Sequence, residues 1–471
     1  MSRIANVRLP NASATYDPSQ FNQLVRSLEQ IILQLNTTYS PVVTEDKDSA
    51  YAWHGDGGGN MDISGLTLPV SIDGTNTDAF GRIRVSQPYS LFDSQNRYAT
   101  DNQFSTSTSG TGTSTFTTNQ SSVAMTVTGA GVGSVVRQTY RNMLYQPGKS
   151  LLVLATFLMS NSTSANLNQK VGYFNTQNGV FFQRTGGVNS FVLRSYTGGS
   201  VDDTRTVNQS SWSVDPLDGS GPSGLTLDLT HPQILWMDFE WLGVGTVRCG
   251  FIIDGAYIVC HTFDTANVYG TTVYMTTAIL PVRYEITSTT AAVAATLSQI
   301  CSSVVSEGGF EAISVEHLAR RTTIFNTINT AANFFPIVSI RLASTALGAV
   351  IIPKSIQFQP TTLQNYEIAL IKNPVLTGAS WTAVPSDSNV EYDVSATAIA
   401  TAGTLVQNGY ISSSGGGGQT STIEATGYNW DLQLGVSLTN VSDIYTLGVR
   451  TISGATTGDG LGTISFFDLT Q

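Results

Sequence analysis

Apolar and polar residues alternate most densely between Ile234 and Phe263, ILWMDFEWLGVGTVRCGFIIDGAYIVCHTF, and this stretch predicts three antiparallel strands in succession. Residues 234–241 form the first, and Gly243, Val244 and Gly245 supply backbone freedom for a reversal. In the second, Val247, Cys249, Phe251 and Ile253 share one face and Arg248 takes the other. Asp254 and Gly255 suit a two-residue type I′ turn because both tolerate positive φ. The third strand, 257–263, sets Tyr257, Val259, His261 and Phe263 against Ile258, Cys260 and Thr262. A meander with one apolar face needs a second sheet to cover it, so a β-sandwich is the economical expectation.

The same period marks shorter strands on both sides. Upstream they fall at 135–140, 150–159, 170–174, 180–183 and 191–196, and downstream at 272–275 and 282–286, with Gly- and Asn-rich turns between them. Residues 61–311 are therefore read as an irregular lead-in, with brief strands at 68–72 and 82–85, followed by a jelly-roll or lectin-like sandwich. The stretch 100–126, almost all Ser, Thr, Gly and Asn, reads as a polar loop or a ribbon with little core. Residues 312–334 read as a hinge with a short helix near 315–321. Residues 335–471 read as a second β-sandwich, with strands at 336–342, 349–352, 355–358, 366–372, 391–394, 404–412, 430–436, 444–451 and 463–467 and a glycine tip at 415–418.

A different period appears once. Asp17 as N-cap, Pro18 at the first helical position and Gln20 three residues after the cap open a helix over 17–36. Phe21, Leu24, Val25, Leu28, Ile31, Ile32 and Leu35 then recur at helical spacing. Phe21, Leu28 and Leu35 are seven apart, as are Leu24 and Ile31. Two heptads are short for a free coiled coil, so this stripe either folds back on its own chain, bundles with copies of itself, or docks on a larger assembly. The polar segment 37–59 reads as a linker, which makes 1–60 an attachment segment.

Composition narrows the functional classes. Only 12% of the 471 residues are charged, and the formal net charge is −11, with no cluster of Lys and Arg. Phosphate contacts need such clusters, so a nucleic-acid partner is not expected. No apolar run suits a secretory leader or a bilayer span, so membrane insertion is not expected either. Cys249, Cys260 and Cys301 are read first as thiols, with a Cys249–Cys260 disulfide across the hairpin as the alternative. Four histidines lie outside any metal-ligand spacing, and no cofactor fingerprint occurs, so no metal, cofactor or catalytic residue is assigned.

One arrangement invites chemistry. Trp236, Asp238 and Glu240 share the face opposite Met237, Phe239 and Trp241. Their carboxyl groups would lie about 6 to 7 Å apart, between the separations of retaining and inverting glycosidases. The commonest fate of such a face is a solvated or subunit-facing surface. Contact with a glycan comes next, and hydrolysis last, because no third acid stands in register.

Three stretches carry a resemblance: NVRLPNASATYDPSQFNQLVRSLEQIILQLNTTYSPV at 6–43, DAFGRIRVSQPYSLFDSQNRY at 78–98, and DFEWLGVGTVRCGFIIDGAYIVCHTF at 238–263. They resemble virion structural proteins of tailed, short-tailed bacteriophages, over about the first 310 residues. The resemblance implies a fibre, spike or capsid decoration, commonly a homotrimer. Such a protein would assemble in the host cytoplasm and attach to capsid, portal or tail proteins, and a host surface glycan would be a further partner. The alternatives are a tail or collar joint without a receptor role and, further off, a glycan-depolymerising tailspike, which would show a β-solenoid repeat or an acid-rich groove.

Overall fold

The computed structural model describes residues 22, 24–29 and 78, and 88–470 other than 292, 312, 385–386, 413–420, 425–428 and 453–456; for 421–424 it describes the backbone alone. The chain divides into two compact units, Met1–Ile72 and Asp73–Gln471. In the first, residues 24–29 are helical, inside the helix expected over 17–36. Leu24 is half-buried there, whereas Val25 and Leu28 are 36% and 44% exposed. Phe21, Ile31, Ile32 and Leu35 lie outside the described residues, as do the linker 37–59, the strands expected at 68–72 and 82–85, and the tip 415–418.

The protein is mainly β. Among the described residues, 89–306 fold into two antiparallel sheets. One has eight strands: Ala256–Phe263, Val247–Ile253, Gln233–Phe239, Leu151–Leu158, Ala295–Ser306, Ser122–Val127 and Gly112–Thr117 in spatial order, with Tyr89–Gln95 also paired to Ala295–Ser306. The other has seven: Asp202–Asn208, Val188–Ser195, Gly179–Thr185, Leu167–Phe174, Val282–Ser288, Gly133–Thr139 and Phe104–Gly110. Leu235, Met237, Phe239 and Phe251 of the first meet Tyr173, Phe182, Phe191 and Tyr284 of the second in one core. The rings of Phe182 and Phe251 touch edge to face, 5.2 Å apart. This is the jelly-roll, lectin-like sandwich that the alternation predicts.

The central meander departs from strict alternation at one point. Its hairpin turns on Asp254 and Gly255 at φ 50° and 79°, with Ile253 opposite Ala256, as the type I′ reading requires. On the third strand, however, His261 pairs with Cys249 and Val259 with Gly250, which leaves Cys260 as the extra residue of a bulge. Ile258, Cys260 and Phe263 therefore share the core, and Phe263 does not side with Tyr257. Cys249, Cys260 and Cys301 are free thiols, the first two buried.

Other expectations needed correction. The polar stretch 100–126 is strand: Phe104–Gly110 and Gly112–Thr117 close one edge of each sheet, and Ser122–Val127 sends Met125 and Val127 inward. Residues 272–275 form turns instead of a strand, because Tyr274 and Met275 are both buried and the Tyr274 amide donates to Gly243 O at 3.0 Å.

The second sandwich starts earlier than position 335. Its five-stranded sheet runs Val315–Arg320, Gly458–Asp468, Ile351–Pro360, Ser421–Glu424, with Phe325–Ile328 also on Gly458–Asp468. Its six-stranded sheet runs Thr382–Ala383, Val390–Asp393, Phe335–Leu342, Ile444–Thr451, Asn365–Lys372, Thr404–Ser412. Within the expected hinge, Val315–Arg320, where a helix was expected, and Phe325–Ile328 are thus strands. The period there is two: Ala319 is in the core and His317 stacks on Phe466 at 5.8 Å, while Glu316, Leu318 and Arg320 face out. The expected strands 349–352 and 355–358 are one, with a register break between Pro353 and Ser355. Residues 430–436 begin as a 3-10 turn, Trp430–Leu432, capped by the Asn429 side chain, and form no strand.

The two sandwiches interlock. Met143 and Tyr145 belong to the first core, while Leu144 between them lies in the second. Tyr89 stacks on Phe310 at 5.2 Å, Phe310 meets Trp430 edge to face at 5.1 Å, and Trp430 Nε1 donates to Tyr89 Oη at 2.8 Å. Arg141 Nη1 donates to Trp430 O at 2.6 Å, and burial lowers the Arg141 pKa.

Candidate functional site

The face expected to carry Trp236, Asp238 and Glu240 is closed. Trp236 and Asp238 are 0% exposed and Glu240 is 1%. Cross-strand register sets Asp238 against Arg248, whose Nε lies 2.9 Å from Asp238 Oδ1 and whose Nη2 engages Oδ2. This two-point pair satisfies the carboxylate and removes it from solvent. The Trp236 indole lies over Gly250, where a Cβ would come within 2.9 Å of Nε1; it donates to Ile258 O at 3.2 Å and meets the Tyr257 ring edge to face. Trp236 and Asp238 lie on the strand Gln233–Phe239, and Glu240 follows its end. The sequence does not show that cross-strand neighbours fill that face.

An open cavity of 620 Å³ lies elsewhere, where the two sandwiches meet. The first sandwich contributes Gln138, Tyr140, Asn142, Asn175, Gln177 and Arg283; the second contributes residues 344–349, Asn389, Val436, Ser437, Leu438, Asn440 and Thr470. Each wall is built by turn chemistry. Asn175 Oδ1 accepts from the amides of Gln177 and Asn178, both at 2.8 Å, which closes an Asx turn. Ala346 N donates to Ala343 O at 2.9 Å and Ala349 N to Ala346 O at 3.0 Å, shaping the overhanging loop. Asn440 takes φ 60° to close the turn after Ser437. The walls are tied across the junction by Val436 N to Tyr140 O at 2.8 Å and Leu438 N to Ser105 Oγ at 3.3 Å.

Electrostatically the cavity is quiet. Among the described lining residues there is no Asp, Glu, His or Cys. The one charged side chain, Arg283, gives Nε and Nη2 to Glu285 Oε2 at 3.1 and 2.9 Å and lies over the Phe174 ring at 5.6 Å. Burial pushes Glu285 up, but Lys170 and Arg283 outweigh it and its pKa is lowered. The lining offers hydrogen bonds of fixed direction and aliphatic patches from Ile279, Leu347 and Val436. Sequence reasoning missed it because its residues are ordinary turn formers. The only signal was the density of Asn, Gln, Ser and Thr in the turns at 175–178, 344–349 and 437–440.

A second pair looks chemical and is structural. Ser213 Oγ lies 3.1 Å from His261 Nδ1, which also accepts the Ser213 amide at 3.2 Å. Burial, with Arg205 nearby, lowers the His261 pKa to about 4. The ring is a neutral acceptor that pins a loop.

No protein-family model matches the chain, and no curated protein matches it. Several solved structures superpose on part of it. The carbohydrate recognition domain of Emp47p is 12% identical, covers 46% of this chain and 95% of that one, and has a TM-score of 0.28. The lumenal domain of VIP36, in its Ca2+/Man3GlcNAc-bound form, is 12% identical over 46% of this chain and 90% of that one, at 0.28. A glycosyl hydrolase family protein of Mycobacterium fortuitum is 9% identical over 46% and 99%, at 0.30. These are distant likenesses, and the fold assignment above stands on the strand order itself.

Proposed function

We propose that the chain is a non-enzymatic virion structural protein of a tailed bacteriophage. In this reading it assembles as a homotrimer, is anchored to the particle by its N-terminal helix, and projects its two sandwiches as a fibre, spike or capsid decoration that contacts a host surface glycan. The observation that carries the reading is the helix at 24–29, where Val25 and Leu28 are 36% and 44% exposed in the single chain. Apolar positions at helical spacing gain stability when a partner covers them. The phage-like stretches 6–43, 78–98 and 238–263 support the same reading. Asp238 lends nothing to hydrolysis, since Arg248 holds it in the interior.

Light scattering of the full chain after gel filtration tests the proposal, with Leu24→Asp/Leu28→Asp in the full chain beside it. The expected result is a trimer for the wild type and a monomer of unchanged melting temperature for the double variant. A wild-type monomer at tens of micromolar, or a trimer that survives both substitutions, contradicts assembly through the helix.

A further inference from the structure

We infer that the junction cavity binds an uncharged saccharide of two or three sugar units. The inference rests on the attachment reading for its choice of ligand and on the side-chain geometry for its place.

Four lining groups have one half of their hydrogen-bonding capacity fixed by the protein, which decides what the other half presents. Gln138 Oε1 accepts from Arg283 Nη1 at 2.9 Å, and because a guanidinium only donates, the Nε2 hydrogens of Gln138 are left over. Asn389 gives both its backbone N and its Nδ2 to Asp468 Oδ2 at 3.0 Å, so its Oδ1 is left as an acceptor. Asn175 spends Oδ1 on its turn and keeps its Nδ2 hydrogens. Thr470 Oγ1 accepts the Val350 amide at 2.9 Å and keeps its proton to donate. The cavity thus holds oriented donors and an oriented acceptor on walls from both sandwiches. A sugar hydroxyl both donates and accepts, so a polyhydroxyl ligand matches this mixture. Groups that are already oriented lose little freedom when they bind.

Charge and size settle the class further. Arg283 is held by Glu285, so a carboxylate or phosphate ligand would have to break that pair before gaining a cation. Ile279, Leu347 and Val436 give aliphatic surface for the C–H faces of sugar rings. A volume of 620 Å³ lies within the roughly 300–1,000 Å³ of small-ligand pockets and exceeds the need of one ring.

The wall also supplies its own plug. At Gly348 a Cβ would meet only Asn142 Nδ2, at 4.0 Å, and φ is not positive there. Gly348→Trp therefore fills the cavity without straining the loop. Full-length protein is titrated calorimetrically with maltotriose, cellotriose and a galactose-terminated trisaccharide, with sialyllactose as the acidic counterpart, and screened on an array of neutral and acidic bacterial-surface oligosaccharides. The expected result is binding of at least one neutral oligosaccharide, abolished by Gly348→Trp and weakened about tenfold by Asn389→Ala through loss of one hydrogen bond. Gly348→Trp should keep the wild-type melting temperature, whereas Asn389→Ala, which also removes the Nδ2 bond to buried Asp468, should lower it, so its binding is read on the folded protein. Neutral-glycan binding unaffected by Gly348→Trp overturns the cavity as the site and leaves the attachment reading standing. Binding of sialyllactose alone overturns the uncharged ligand. Binding of no saccharide overturns the inference, while the trimer measurement decides the attachment reading separately.

Discussion

The outer face of strand Gln233–Phe239 and the cavity between the sandwiches make an instructive pair. The first holds a tryptophan and two carboxylates at a spacing that suggests sugar chemistry, yet Asp238 is locked to Arg248 and Trp236 fills the notch above Gly250. The second holds amides and hydroxyls from turn residues that suggest nothing in sequence, yet it is open and its hydrogen-bonding groups are oriented. Ionisable residues on a strand are noticed for their chemistry, but a neighbouring strand decides whether they reach a ligand. Turn residues are discounted as punctuation, but where two domains abut, their turns become walls.

Asp238→Ala removes the carboxylate that the Arg248 guanidinium, 11% exposed, holds at two points. Losing one member of a buried pair costs about 3–5 kcal/mol, visible as a shift in the denaturant midpoint, and saccharide binding by the folded fraction should not change. Asp238→Leu with Arg248→Met should recover most of that loss, because hydrophobic residues of similar volume replace such pairs well. Should Asp238→Ala instead leave stability intact and abolish glycan binding, the contrast would be reversed.

Leu144→Ala comes next. Leu144 is 4% exposed and crosses from one sandwich into the core of the other, so its truncation should cost about 2–5 kcal/mol and loosen the cavity as well as the fold. Calorimetric melting checks both: the single transition expected of an interlocked pair should fall in temperature and begin to divide.

The smallest effect concerns pH. His261 has a pKa lowered from 6.5 to about 4, with burial as the first cause and Arg205 as the second. Below pH 6.5 the unfolded chain takes up a proton that the folded ring refuses until about pH 4. The ring's contribution is therefore full above pH 6.5 and lost progressively as pH falls toward 4. His261→Gln should flatten this part of the stability profile and leave glycan binding at pH 7 unchanged.

Much of the first sandwich was legible because half-buried strands announce themselves by period two. Strands 151–158, 167–174, 247–253 and 282–288 were all anticipated to within a few residues, and the expected 404–412 has the same bounds as Thr404–Ser412. The central strand Ala295–Ser306 was not, because its sequence ATLSQICSSVVS is rich in hydroxyls and carries a register break between Gln299 and Cys301. Its neighbour Ser122–Val127 was hidden at the end of the hydroxyl-rich stretch 100–126. The helix expected at 315–321 failed because Val315–Arg320 is short, and only the strand Gly458–Asp468 far along the chain fixes its conformation. The cavity was illegible for a related reason: Gln138, Asn175, Asn389 and Thr470 are scattered over more than 300 positions and are brought together by long-range contacts such as the Leu144 crossing and the Tyr140–Val436 bond.

The contrast between the two regions is tested most directly by amide hydrogen exchange of the full chain with and without the tightest-binding neutral oligosaccharide. Exchange should slow in 343–349 and 436–441 and stay unchanged in 233–263. Protection confined to 233–263, with the junction loops unchanged, would contradict that contrast.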